Sequence, residues 1–161
     1  MIARTKSNLA LAVLTVAFIA GCNTVTPPQQ YNPGSFAADF ANADGVPSYF
    51  TATNALAVQV GAEYSISATE ATHQGTNEID ISGIPATVTT TTSSQSPTLN
   101  IRYYDATTNQ DFEARSGSGF CSMTVTQTSP TLQGTFTGRL VSSGRADSIR
   151  AITSGNFNAS F

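Results

Sequence analysis

The chain has little charge. Of its 161 residues, 11% are charged, and the formal net charge is -3. The one lysine, Lys6, lies near the start, and beyond position 21 five arginines face ten acids, a balance of -5. An acidic chain without lysine beyond position 21 argues against nucleic acid and anionic lipid headgroups as electrostatic partners.

Catalytic and metal-binding motifs are also missing. The sequence contains no P-loop, no dinucleotide-binding fingerprint, no HExxH and no G-x-S-x-G. The one histidine, His73, stands in a polar turn near Glu70, Glu78 and Asp80, which is fewer converging ligands than a zinc site requires. We interpret His73 as an exposed loop residue, with a weak calcium or zinc site as the alternative. The sequence therefore predicts no cofactor, no metal and no enzymatic activity.

Paired carboxylates are the one remaining pattern that could indicate an enzymatic activity. Asp105, Asp111 and Glu113 flank a predicted hairpin, and two such groups could serve a glycosidase. Asp105 and Asp111, however, are also explained as turn residues. The strand alternation places Glu113 on the outward face, opposite Phe112 and Ala114. The run "SGSG" at 116–119 is better read as a turn than as a hydrolase site. Glycosidase and hydrolase activities are therefore alternatives that the pattern does not favour.

The sequence offers no convincing amphipathic helix, whereas threonine, valine, serine and aromatics with glycine punctuation favour strands and turns. We predict all-β structure, a single antiparallel β-sandwich or barrel-like domain of about nine or ten short strands. The strands are expected near 35–40, 49–60, 63–70, 78–82, 86–92, 98–104, 111–115, 119–127, 134–141 and 148–161, the last broken at Gly155.

Alternation with period two predicts which side chains share a face. In "ALAVQV" the shared face carries Leu56, Val58 and Val60. In "LNIRYY" it carries Leu99, Ile101 and Tyr103, and in "CSMTVTQ" Cys121, Met123 and Val125 point inward. Phe136 is aligned with Leu140, and Phe157 with Ala159 and Phe161.

The N-terminal segment has the pattern of a secretory leader: Arg4 and Lys6, then an apolar run from Leu9 to Ala20. A helix of about a dozen residues rises only about 18 Å, against about 30 Å for a bilayer core. Ile19-Ala20-Gly21-Cys22 resembles the lipobox of bacterial lipoproteins. The resemblance implies cleavage between Gly21 and Cys22 and acyl (palmitate-type) chains on Cys22. An uncleaved signal anchor, or cleavage that leaves Cys22 a free thiol, is the alternative.

This interpretation divides the chain into a signal peptide at 1–21, a proline-bearing tether at 22–34 and a β domain at 35–161. An acylated Cys22 leaves Cys121 without an intrachain partner. We therefore expect Cys121 to be a buried, inert core residue, with a catalytic thiol as the alternative.

The C-terminal half resembles a family of small bacterial lipoproteins without assigned function. That resemblance implies architecture and location and adds no chemistry. The residues that carry it are Cys121, Gly134, Thr135, Phe136, Gly138, Leu140, Ile152, Thr153, Gly155 and Phe157.

The expected function is that of a structural or binding module in the bacterial cell envelope, anchored to a membrane through Cys22. Asn23 after the cysteine favours the outer over the inner membrane by analogy with enterobacterial lipoproteins. Envelope protein or glycan partners could contact threonine-rich faces carrying Tyr49, Tyr103 and Tyr104, with 87–96 as an exposed edge strand or loop.

Two other functions stay open. A barrel interior could carry a small hydrophobic ligand, although a filled core is what a small domain needs for stability. A final strand that ends in Phe161 also resembles the closing strand of an outer-membrane barrel, although the predicted strands are short for a membrane span.

Overall fold

A computed structural model of the chain describes residues 34–42, 46–144 and 148–161. Within these residues the protein is all-β. Its eleven strands are β1 (Ser35–Asn42), β2 (Pro47–Ala52), β3 (Leu56–Val60), β4 (Glu63–Thr72), β5 (Gly75–Pro85), β6 (Thr89–Thr92), β7 (Asn100–Asp105), β8 (Gln110–Ala114), β9 (Phe120–Gln127), β10 (Leu132–Ser142) and β11 (Ile149–Ala159). The predicted leader, the lipobox with Cys22 and residues 22–33 of the predicted tether lie outside the described part.

The strands form one antiparallel sheet in the order β2-β1-β11-β10-β8-β7-β5-β4-β3. Strand β8 pairs with Val141 and Ser142 of β10, strand β9 pairs with residues 133–139 of β10, and β6 pairs with β9. The sheet curls into a half-barrel with its apolar side chains inside, which confirms the predicted fold class and settles the choice in favour of the barrel-like form.

The curl brings the two ends of this order together along a seam. Near Gly34, Ala57 N donates to Ser160 O at 2.6 Å and Ala55 N donates to Gly34 O at 2.7 Å. Further along, the seam between β2 and β4 is bonded by side chains: Glu70 Oε1 accepts from Thr51 N at 3.0 Å, and Asn54 Oδ1 accepts from Thr69 N at 3.1 Å.

The half-barrel has two ends, named here by one residue each. The Gly34 end carries Gly34, the turn 61–62 and the end of β11 at Ala159. The Arg150 end carries Arg150 near the start of β11, with the turns 73–74 and 106–109.

A continuous series of aromatic rings runs through the interior, among the aliphatic residues of the core, from one end to the other. Neighbouring ring centroids lie 4.7–6.5 Å apart, so the rings contact one another and leave little space between them. In order from the Gly34 end the rings are Phe157, Phe136, Phe36, Phe50 and Tyr103, with Phe40 and Phe112 both against Tyr103.

The predicted strand at 49–60 is two strands, β2 and β3, because the chain changes partner at residues 53–55. Before that point β2 pairs with β1, and after it β3 pairs with β4. The predicted break at Gly155 is also wrong. Strand β11 runs through Gly155, and its irregularity lies at Thr153, an extra residue between the pairs Asp39–Ser154 and Phe40–Ile152.

The predicted faces are correct for β7, β9 and β10, whose apolar residues are buried. In β3 the three predicted residues also share one face, but that face meets solvent and not the core. Ala57 points inward, while Leu56, Val58 and Val60 share the solvent face with exposures of 59, 60 and 62%.

Two glycines explain how bulky rings fit between β10 and β11. Gly134 pairs with Phe157, and Phe136 pairs with Gly155, so each phenylalanine ring lies over the glycine on the opposite strand. A Cβ at Gly134 would lie 2.7 Å from Phe157 Cζ, and a Cβ at Gly155 would overlap the Phe136 ring. Both positions need glycine because the rings occupy the space of a side chain.

Gly155→Ala should destabilise the fold by about 1–3 kcal/mol, because the Phe136 ring must leave its position. Gly144→Ala is the matched control, since a Cβ there meets nothing within 4 Å; we expect a change within about 0.5 kcal/mol. Urea unfolding of the two variants measures the difference. Equal stabilities would contradict this packing.

Candidate functional site

Polar side chains gather inside the half-barrel at the Arg150 end, next to the aromatic rings. We call Glu70, Asn77, Tyr103, Asp105 and Arg150 the Arg150 cluster. They come from β4, β5, β7 and β11, which the sheet order brings to one end. Asn77, Tyr103 and Asp105 are buried, with exposures of 6–8%. Because buried polar and titratable side chains are the usual components of a binding or catalytic site, this cluster is the first candidate for one.

Glu70 and Asn77 are occupied by contacts that hold the fold. Besides its bond from Thr51, Glu70 accepts through Oε2 from Asn77 Nδ2 at 3.3 Å. Asn77 Oδ1 accepts from Ala106 N at 3.0 Å. These two side chains therefore connect the seam to the turn that follows β7.

Asp105 and Arg150 form an ion pair, Oδ2 to Nη2, at 3.2 Å. The other carboxylate oxygen of Asp105 accepts from Thr107 N at 2.9 Å, the geometry of an Asx turn. The Arg150 guanidinium carbon lies 5.4 Å from the centre of the Phe112 ring, within cation–π range. The ion pair therefore lies against the aromatic rings at the Arg150 end of the interior.

Tyr103 is the one tyrosine of the cluster and is 8% exposed. Burial, and then the negative charge of Asp105, raises the pKa of Tyr103 to about 12, with Arg150 opposing the shift. The ring packs between Phe40 and Phe112. Tyr103 was predicted both on an inward face and in an outer partner-contacting set; the second placement is wrong, because the side chain lies inside.

The three carboxylates considered for a glycosidase do not come together. Asp105 lies inside, whereas Asp111 and Glu113 lie on the outer face. Arg102 Nη2 lies 2.6 Å from Asp111 Oδ1, and Arg115 Nε lies 3.2 Å from Glu113 Oε2. The structure therefore separates Asp105 from the other two carboxylates, each of which is paired with an arginine.

His73 lies in the exposed turn between β4 and β5, as predicted. Its sequence neighbours are divided between the two faces: Glu70 points inward, while Glu78 and Asp80 face Arg102 outside at 3.7 and 3.2 Å. Among the described residues, no group of three or more His, Cys, Asp or Glu side chains could hold a metal ion.

Cys121 is a buried free cysteine, as predicted. Its Sγ lies 3.3 Å from the carbonyl oxygen of Ala114, and burial raises the pKa of the thiol. A raised pKa keeps the thiol protonated and unreactive, which is the setting of a core residue.

A second polar surface lies outside, on β9, β10 and β11. Its members are neutral, and they form rows across the strands in which Thr124 faces Thr135 and Thr135 faces Asn156. The row extends to β6, where Thr90 Oγ1 lies 2.9 Å from Thr124 Oγ1. We call this surface the hydroxyl face; its residues are Ser122, Thr124, Thr135, Thr137, Thr153, Ser154 and Asn156, and they line a shallow open groove.

The tract at 87–96 contains β6, which pairs only with β9 among the described strands and is therefore an edge strand, as expected. Tyr49 and Tyr104 lie on the outer surface as predicted, and the Tyr104 hydroxyl bonds Asn109 Oδ1 at 2.9 Å.

Sequence reasoning missed Asn77 and Arg150 as members of an interior cluster. A local signal existed for both. Each lies two residues before a buried isoleucine in the same strand, Ile79 and Ile152, so period two places it inside. Which side chains each would meet depends on pairing across distant strands.

Comparisons of the chain with family models, with curated proteins and with solved structures find no match. In the described ranges no helix is long and apolar enough to cross a bilayer. The resemblance to small lipoproteins therefore stays a prediction.

The free energy of unfolding should fall as the pH rises from about 10 towards 12, because the unfolded chain loses the Tyr103 proton first. Tyr103→Phe should remove this part of the pH dependence. Tyr104→Phe, which changes an outward tyrosine, is the control. Urea unfolding at about pH 9 and about pH 11 measures the effect; an equal fall in wild type and Tyr103→Phe would refute it.

Proposed function

We propose that the protein is a lipid-anchored structural or binding module of the bacterial cell envelope, held to a membrane through acylated Cys22. The support for the anchor comes from sequence: a short apolar run after two basic residues, followed by Ile19-Ala20-Gly21-Cys22. Asn23 favours the outer membrane as the site of the anchor.

One observation carries the proposal for the domain. The chain enters the half-barrel at Gly34, whose N–H donates to Asn158 O at 2.7 Å, and the Arg150 cluster lies at the opposite end. Twelve peptide units from Cys22 to Gly34 reach at most about 40–43 Å. A domain anchored in this way has its Gly34 end at the attachment point and its Arg150 end opposite, with the hydroxyl face on the flank between them.

Binding, not catalysis, is the activity that the polar groups support. Glu70, Asn77 and Asp105 use their oxygens to hold strands and turns in place, and His73 lies outside the cluster. Cys121 is enclosed by the core. None of these groups has the arrangement of a base beside a nucleophile.

The hydroxyl face is the surface that best fits a partner. It is neutral and rich in hydroxyl and amide groups, which suit hydrogen bonding to an envelope glycan or to a polar protein surface. The interior offers less to a hydrophobic ligand, because the aromatic rings that would contact such a ligand contact one another. The carrier alternative therefore gains no support from the interior.

Cys22→Ala should move the protein from the membrane fraction to the soluble fraction, because it removes the acylated sulfur. Intact mass of the membrane-bound wild type should correspond to a chain that begins at Cys22 and carries acyl groups. Cys121→Ala, which removes the other thiol, is the control and should stay with the membrane. Equal membrane partition of wild type and Cys22→Ala would refute the anchor.

A further inference from the structure

Strand β3 exposes an uncharged apolar surface that the fold leaves uncovered. Leu56, Val58 and Val60, here called the β3 strip, point to solvent from one strand, with about 60% of each residue exposed. Next to them a mostly apolar groove runs along β4 and β5, lined by Leu56, Val58, Ser65, Ile66, Ser67, Asp80, Ile81 and Ser82. Three adjacent aliphatic side chains of this exposure indicate a contact surface.

The strip also lies at an edge of the sheet. Strand β3 pairs with β4 on one side; on the other side, within the described residues, its bridge is to Ser160, opposite Leu56. The strand "LAVQV" contains no charge and no proline, the residues with which soluble proteins protect exposed edges. Something other than water is therefore expected to cover the Val58–Val60 part.

The place where the chain enters the domain indicates what covers the strip. Gly34 O accepts from Ala55 N at 2.7 Å, so the entry point lies one residue from Leu56. Twelve peptide units lead from Gly34 back to Cys22, and they reach no further than about 40–43 Å. The strip is therefore at the end of the half-barrel nearest the proposed anchor.

A second copy of the chain fits less well. The open edge spans only Val58–Val60, and pairing three residues of two copies buries far less than the roughly 1,200 Å² of a standard stable interface. A membrane contact needs less area, because the anchor already holds the domain at the surface and raises its effective concentration there.

We propose that the β3 strip lies against the surface of the membrane that holds Cys22, so that the domain rests on its Gly34 end. This inference rests on the proposed lipid anchor. Glu63 and Asp80 lie beside the strip on β4 and β5 and would be repelled by anionic headgroups. The β3 strip therefore fits a membrane of zwitterionic lipid, such as phosphatidylcholine.

The absence of tryptophan from the chain allows a direct test. Val58→Trp places the chain's single tryptophan on the strip, where it can be excited apart from the five tyrosines, and Val60→Trp provides a second variant in case the first fails to fold. Tyr49→Trp is the control, because Tyr49 is 67% exposed on the outer face of β2 near the Arg150 end. Full-length acylated protein is reconstituted in phosphatidylcholine vesicles with plain or brominated acyl chains.

Brominated lipid should lower the emission of Val58→Trp and Val60→Trp about twofold, since interfacial side chains reach about 5–10 Å into the headgroup and acyl boundary. The emission of Tyr49→Trp should not change. Equal Val58→Trp emission in both lipids, with the protein in the vesicle pellet, would overturn the inference. Blue-shifted but unquenched emission would mean that protein covers the strip and would overturn it as well.

Failure of the anchor gives a different result. In that case the wild-type chain stays out of the vesicle pellet and its intact mass shows no acyl groups. That outcome refutes the proposed function and removes the basis of this inference, whereas a pelleted, acylated and unquenched protein refutes the inference alone.

Discussion

The half-barrel depends on the bonds along its seam, where the first and last parts of the sheet order meet. Near Gly34 these are backbone hydrogen bonds to Ser160. Towards the Arg150 end the side chains of Glu70 and Asn54 accept the amide hydrogens of Thr51 and Thr69. Each such bond contributes about 1 kcal/mol, but an open seam would also expose the aromatic rings inside.

The seam also determines what the interior polar groups can do. Glu70 bonds both Thr51 and Asn77, and Asn77 in turn fixes the turn in which Asp105 pairs with Arg150. The carboxylates that looked available for chemistry are thereby committed to structure inside or to arginines outside. The neutral hydroxyl face and the β3 strip remain as surfaces able to contact other molecules, one on the flank and one at the Gly34 end.

Local alternation predicted most of this fold, because a residue in a strand needs only its neighbours to show which face it takes. That was enough for β7, β9 and β10 and for the buried Cys121. It failed at β3, where the pattern of Leu56, Val58 and Val60 shows a shared face but not whether that face meets the core. It also failed at 49–60, where the change of partner from β1 to β4 depends on distant strands.

The candidate site was less predictable than the fold for the same reason. Glu70 was noticed only beside His73, and Asp105 only as one of a possible carboxylate pair. Their actual partners Thr51, Asn77 and Arg150 lie 7–45 residues away in sequence. Amide hydrogen exchange, read residue by residue, tests the account most directly. The Thr51 amide should be protected in the wild type and exchange rapidly in Glu70→Ala, while amides between β10 and β11 stay protected. A Thr51 amide that stays equally protected in Glu70→Ala would contradict a seam held by this side chain.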